Sequence, residues 1–95
     1  MEKTQQHIEI DQKETLLASG FDLAIIGLDT KSEPFRVVYD IEKMIEILCS
    51  REEMTELDAI EYLDYNVFGA YVGEGTPIYI HGGDHQRVLE LLSNY

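Results

Sequence analysis

Residues 54–80 read MTELDAIEYLDYNVFGAYVGEGTPIYI, and this stretch decides the fold. Thr55, with Asp58 three residues later, has the spacing of a capping box, which predicts that a helix begins here. Apolar residues then recur at helical spacing and predict a buried stripe of Ala59, Ile60, Leu63 and Val67. The β-branched and aromatic run at residues 78–80 predicts a short strand.

Turn-forming residues separate this helix from the strand. Gly69 is expected to end the helix, and Gly73 and Gly75 allow the positive φ angles that tight turns need. Pro77 sets the entry to the strand, because the first residue of a strand can lack a hydrogen-bond donor. Asn66 lies at the margin of the apolar stripe, and we expect its amide to bond the turn backbone near residues 69–73.

Two strands and a helix are predicted before residue 54. Residues 21–28 form a dense apolar run, which is typical of a strand buried on both faces. Residues 35–39 are β-branched and aromatic, and the polar turn between the two runs predicts a hairpin. Asp40 can cap the next helix, in which apolar residues recur at i, i+3, i+4, i+7 and i+8 as far as Cys49.

Further helices are predicted towards both ends. Residues 1–10 are expected to be frayed, and Asp11–Ser19 has the start and stop signals of a short helix. Asp84 can cap a last helix, which makes residues 81–95 a C-terminal helical extension.

These elements predict a small α+β fold in a single domain, residues 1–95. We expect a two- or three-stranded antiparallel sheet with two or three helices packed on one face. The single cysteine, Cys49, excludes an internal disulfide, and the chain begins with no signal-like segment, so a cytoplasmic location is expected. No apolar run approaches the ~18 residues that a membrane span needs.

The charge of the chain is strongly negative, with 19 acidic against 7 basic residues and a net charge of −12. Repulsion makes nucleic acid and anionic membranes poor partners and makes a basic protein surface a better one. Residues 52–86 are the extreme case, because they contain eight acids and neither lysine nor arginine. A simpler explanation is that the charge only keeps a small protein in solution.

Four residues of the predicted helix define a candidate partner-binding surface. At about 100° per residue they fall opposite the buried stripe and on one flank of it; they are Asp58, Glu61, Tyr62 and Tyr65. Tyrosine supplies rigid apolar area with a polar tip, and carboxylates around it favour a basic partner. We name these four residues the acidic tyrosine face. The alternative is that one tyrosine packs over a neighbouring strand.

Two other functions are compatible with the sequence. A row of carboxylates can imitate a nucleic-acid backbone and occupy a site made for phosphates. His81, Asp84 and His85 lie within five residues and could bind a metal, but Asp84 is better placed as a helix cap and no second cluster completes four ligands. Neither a nucleophile elbow nor a phosphate-binding glycine loop with its lysine is present. We therefore expect no enzymatic activity and no cofactor.

The run EYLDYNVFGAYVGEGTP, residues 61–77, resembles a block found in small, acidic, uncharacterised proteins of tailed bacteriophages and prophages. Residues 24–27 (AIIG) and 38–40 (VYD) are similar to the same group, so the resemblance covers roughly residues 21–80. It implies a phage or prophage product that acts in the cytoplasm of the host cell. It implies no reaction.

The resulting prediction is a non-enzymatic phage-type protein that binds a host protein and inhibits a host or defence factor. The partner would have a basic surface and would contact the acidic tyrosine face. The alternatives are a nucleic-acid mimic that inhibits a DNA- or RNA-binding protein and a small metal-binding or enzymatic domain. The last helix has a broad apolar surface, which also predicts a homodimer through that helix; the residues are Val88, Leu89, Leu91 and Leu92.

Overall fold

The computed structural model describes residues 15–70, 73–82 and 84–94. Its strands are β1 (Ile25–Asp29), β2 (Arg36–Asp40) and β3 (Ile78–Ile80), and a 3₁₀ turn, Asp22–Ala24, precedes β1. Its α-helices are α1 (Ile41–Arg51), α2 (Glu56–Leu63) and α3 (His85–Ser93). A π-helical segment, Asp64–Phe68, continues α2 without a break.

The described strands form one mixed sheet in the order β1–β2–β3. β1 and β2 pair antiparallel, as the predicted hairpin, with Ile25 opposite Tyr39. β2 and β3 run parallel, with Tyr39 opposite Tyr79. The α+β class is confirmed, but the expectation of a purely antiparallel sheet is wrong for this second pair. The reason is that α1, α2 and the glycine-containing turn carry the chain back along the sheet before β3 begins, as a parallel pair requires.

One face of the sheet carries the hydrophobic core. Val37 and Tyr39 of β2 are buried together with residues of both central helices, which are Met44, Leu48, Ala59 and Leu63. α1 and α2 therefore cover this face, as the apolar spacing predicts. By contrast, α3 contributes no buried residue. None of the helices in residues 15–70, 73–82 and 84–94 is both long enough and apolar enough to cross a membrane.

Each α-helix begins at the side-chain cap that the sequence predicts. The Asp40 carboxylate accepts a hydrogen bond from the Glu42 amide at 3.1 Å and starts α1. The Thr55 hydroxyl accepts one from the Asp58 amide at 3.1 Å and starts α2. Asp84 accepts one from the Arg87 amide at 2.8 Å and starts α3. These bonds satisfy amides that have no partner inside their helix.

The predicted helix at Asp11–Ser19 is wrong for its described part. Residues 15–18 are not helical, because their backbone donors bond to distant parts of the fold. The Leu16 amide donates to the Gly75 carbonyl at 3.2 Å, and the Ala18 amide donates to the Tyr39 hydroxyl at 2.8 Å. The earlier part of this predicted helix and the predicted frayed segment, residues 1–10, lie outside the described residues.

The apolar run at residues 21–28 is also less buried than expected. Part of it is the 3₁₀ turn, and Leu23, Ile26 and Leu28 are 83%, 48% and 49% exposed. β1 is an edge strand whose register is irregular between Ile25 and Gly27. The described structure therefore covers only one face of this strand, and a continuous apolar sequence did not mean burial on both faces.

Candidate functional site

The acidic tyrosine face lies on the solvent side of α2 and on the start of the π-helical segment. Tyr65 is 87% exposed and Tyr62 is 40% exposed, and the side chains of Asp58 and Glu61 are exposed with them. The rotation of α2 follows from its opposite side, where Ala59 and Leu63 are fully buried. The structure thus brings the four predicted residues together on one surface.

Two apolar residues enlarge this surface beyond the predicted set. Leu57 is 65% exposed and Ile60 is 40% exposed. The assignment of Ile60 to the buried stripe is wrong, because Ala59 and Leu63 face the core and Ile60 falls at the edge of that narrow stripe. On an α-helix Leu57, Ile60 and Glu61 have the spacing i, i+3 and i+4, which places them on one side. This spacing in the sequence could have predicted that the exposed side of α2 is both apolar and acidic.

The acids of α2 have no basic partner among the residues that the structure describes. Within the described residues, Arg51 forms an ion pair with Glu52. His81 and Arg87 both pair with Glu42 of α1. Two arginines donate hydrogen bonds to backbone carbonyls away from α2. Arg36 donates to the carbonyls of Thr76 and Pro77 at 2.6 and 3.5 Å, and Arg51 donates to that of Gly20 at 2.9 Å. The negative charge of the face is therefore available to a partner.

The π-helical segment changes the geometry of the face at Tyr65. A π turn contains more residues than an α turn, and such segments are frequent at functional sites. The Asn66 amide donates to the Tyr62 carbonyl at 3.1 Å, one turn back. Among the described residues the Asn66 amide bonds to this carbonyl; the expected bond to the turn at residues 69–73 falls partly outside the described residues and stays a prediction. The bond to Tyr62 links the backbone of the two tyrosine-bearing turns.

The predicted turn residues differ in backbone conformation and in burial. Gly69 follows the π-helical segment at φ −81°, and a Cβ there would lie 3.2 Å from the Asp64 carbonyl oxygen. Gly73 has φ +137°, as expected, and its carbonyl accepts from the Thr76 amide and hydroxyl at 3.1 and 2.6 Å. Gly75 is not among the described glycines with positive φ; it is buried and its carbonyl accepts from Leu16. Pro77 is buried and leads into β3.

A cavity of about 240 Å³ opens beside the face. Tyr62 and Asn66 form part of its lining, together with apolar residues that include Phe21, Val67 and Tyr79. Burial raises the pKa of Tyr79, whose ring lies 4.8 Å from that of Phe68 between centroids. Sites for small ligands usually enclose ~300–1,000 Å³. This cavity lies just below that range.

A larger open groove, of about 750 Å³, lies between the 3₁₀ turn and α1. Its lining includes Leu23, Ile47, Lys43 and Arg51 but none of the predicted site residues. Its lining carries two bases and two acids, Asp22 and Glu46, so its formal charges balance, unlike those of the acidic tyrosine face. Sequence reasoning missed this groove, since it depends on how the 3₁₀ turn packs beside α1.

The histidine-containing segment does not converge on a metal site. His81 Nδ1 lies 3.3 Å from Glu42 Oε2, while Asp84 caps α3. Within residues 15–70, 73–82 and 84–94 there is no group of three or more His, Cys, Asp or Glu side chains that could hold a metal ion. Cys49 is a free, partly buried thiol on α1.

No protein-family model, curated protein or solved structure matches the chain.

Proposed function

We propose that this is a non-enzymatic binding protein whose acidic tyrosine face docks onto a basic surface of a host protein. The observation that carries the proposal is the exposure of Tyr65, at 87%, on the π-helical continuation of α2, whose opposite side is buried through Ala59 and Leu63. The ring exposes a large apolar area next to other exposed apolar residues, Leu57 and Ile60. It has the character of an anchor residue at an interface.

The apolar part of the surface can supply the affinity. An aromatic side chain buries roughly 150–250 Å² when it is fully covered. At about 25 cal/mol per Å², covering Tyr65 alone corresponds to several kcal/mol before the costs of association. Three more partly exposed side chains of α2 extend the area that a partner can cover, and they are Leu57, Ile60 and Tyr62.

The carboxylates supply selectivity. Four acids lie along α2 and its continuation, all exposed, and they are Glu56, Asp58, Glu61 and Asp64. With no base beside them in the described residues, they attract a basic surface and repel acidic ones. Long-range attraction of this kind raises the association rate and weakens as salt is added.

The resemblance to phage proteins suggests what such binding does. A small protein that covers a basic functional surface of a host or defence factor would inhibit it without any reaction. We therefore propose inhibition in the cytoplasm of a host cell as the biological role. This role rests on the sequence block at residues 61–77.

A nucleic-acid mimic is the second candidate, because the same four acids occur along α2 and its continuation and form no ion pair with any described residue. The two candidates differ in their need for tyrosine. A mimic depends on carboxylates, tolerates loss of the phenol rings and is displaced by DNA or RNA. A tyrosine-anchored interface fails when the rings are removed, even though every charge remains.

Site-specific photo-crosslinking tests the proposal. A photoreactive phenylalanine analogue at Tyr65 is expected to capture a bacterial protein that the same analogue at Leu23 does not, although Leu23 is 83% exposed. The captured protein should have a basic surface, and capture should decline when Asp58→Asn and Glu61→Gln are added. Equal capture at both positions, or none at Tyr65, would overturn the proposal. Displacement by DNA with tolerance of Tyr65→Ala would favour the mimic.

A further inference from the structure

The α3 helix presents an apolar stripe that the described part of the chain leaves uncovered. Val88, Leu89 and Leu92 are 38%, 43% and 64% exposed, and none of the residues of α3 is buried. With His85 they have the spacing i, i+3, i+4 and i+7, so they share one side of the helix. A helix of nine residues is too short to be stable in water without packing.

Polar contacts attach α3 to the rest of the domain through the side of the helix opposite the apolar stripe. Arg87 Nη2 lies 2.6 Å from Glu42 Oε2 on α1, and His81 Nδ1, just before α3, lies 3.3 Å from the same oxygen. At about 100° per residue, Arg87 falls on the side of α3 away from the stripe. The ion pair therefore leaves the stripe facing outward.

The stripe also differs in charge from the rest of the chain. It contains no acid, although the net charge is −12, α1 carries two acidic residues and α2 carries three. The acids of α3 are elsewhere: Asp84 caps the helix and Glu90 lies on the side opposite the stripe. Two copies of an acidic chain can approach here without opposing carboxylates, and a basic partner would find no counter-charge.

We propose that the stripe His85, Val88, Leu89 and Leu92 binds the same stripe of a second copy, forming a two-fold symmetric dimer. In an antiparallel pair centred between Val88 and Leu89, Val88 lies opposite the partner's Leu89. His85 then lies opposite the partner's Leu92. No Asp, Glu, Lys or Arg side chain of the stripe lies at the axis, which makes the surface complementary to itself.

The size of the stripe sets the strength of the dimer. A nine-residue helix is about 14 Å long, so a pair of them buries less than the roughly 800 Å² per partner of a standard interface. A dissociation constant of about 10 μM to 1 mM is expected. Because added salt screens the repulsion between two chains of −12, it should strengthen the dimer.

Sedimentation equilibrium from about 10 μM to about 1 mM protein tests this proposal. The average mass should rise from 10.9 kDa towards twice that value, more steeply as salt increases from about 0.05 to about 0.5 M. Leu92→Glu should remain monomeric at every concentration. Leu57→Glu is the matched control, because it adds the same charge at a leucine of almost equal exposure, 65% against 64%, and should dimerise like the natural chain.

Four results would overturn the proposal. In one, the average mass of the natural chain stays at 10.9 kDa at every concentration. In another, Leu92→Glu associates as strongly as the natural chain. Added salt could weaken association, which would indicate contacts between charges. Equal loss in Leu57→Glu and Leu92→Glu would show that added charge, and not the stripe, controls association. Circular dichroism of both variants verifies that each retains its helices.

Discussion

At the scale of single residues, Tyr39 connects the sheet to the segment that precedes it. Its side chain is fully buried, and its hydroxyl accepts a hydrogen bond from the Ala18 amide at 2.8 Å. Its ring centroid lies 5.7 Å from that of Tyr79 on the neighbouring strand. Burial is the main cause that raises the pKa of Tyr39 to about 12. The Tyr39 ring thus packs in the core, and its hydroxyl gives the Ala18 amide the acceptor that a helix would otherwise supply.

Tyr39→Phe tests this connection. The variant leaves the Ala18 amide without its acceptor, so the free energy of unfolding at pH 7 should fall by about 1–2 kcal/mol. Urea denaturation monitored by circular dichroism measures the change. Tyr65→Phe is the control, because that hydroxyl belongs to a side chain that is 87% exposed, and it should change stability by less than about 0.5 kcal/mol. A loss of the same size in both variants would contradict this role for Tyr39.

The raised pKa of Tyr39 gives a second test at this scale. As pH rises from about 10 to about 12, the unfolded chain loses the phenolic proton first, so the folded state loses stability. Below pH 10 this contribution is fully present. The advantage of the natural protein over Tyr39→Phe, about 1–2 kcal/mol at pH 7, should therefore fall by about 2 kcal/mol over that range and so reach zero or reverse its sign. A difference that stays constant with pH would show that the phenol ionises equally in both states.

At the scale of elements, the attachment of α3 depends on one carboxylate. The hydrogen bond from Arg87, followed by the attraction of its charge and the contact with His81, lowers the pKa of Glu42. Stability from this group is therefore present above its ordinary pKa and is lost as pH falls through the lowered value. Because the pair is partly exposed, solvent screens it. The attachment should be weak and easily opened.

Glu42→Gln should loosen α3 selectively. Amide hydrogen exchange within residues 88–93 is expected to become about two- to fivefold faster, because the variant removes a solvent-screened ion pair that holds the helix. Exchange in α1 should not change. Glu46→Gln is the control, since it removes another exposed carboxylate of α1 that has no ion pair in the described residues. Uniformly faster exchange in both variants would contradict a selective tether.

The element scale also shows which features could be predicted from sequence. Caps and apolar spacing are local, so all three helix starts and the outward rotation of Tyr62 and Tyr65 followed from residue order. The parallel β2–β3 pair depends on where the chain returns, which no local pattern specifies. The missed backbone bond from Leu16 to Gly75 likewise joins residues that are distant in sequence.

At the scale of the whole molecule, the two proposed surfaces should respond to salt in opposite ways. The acidic tyrosine face attracts a basic partner, and screening weakens that attraction. The α3 stripe joins like-charged chains, and screening removes their repulsion. The sequence predicted both surfaces, but it missed the contribution of Leu57 and Ile60 and the cavity beside Tyr62, since these depend on how the helices pack.

The measurement that tests the central claim most directly is the affinity of the captured partner for the natural protein and two purified variants, by calorimetry at two salt concentrations. Tyr62→Ala with Tyr65→Ala should weaken binding at least about tenfold while conserving every charge, because hot-spot anchors contribute about 2 kcal/mol or more. Leu23→Ala should bind like the natural protein, and binding by the natural protein should weaken with salt. Unchanged binding by the double tyrosine variant would contradict the claim that α2 docks through its tyrosines.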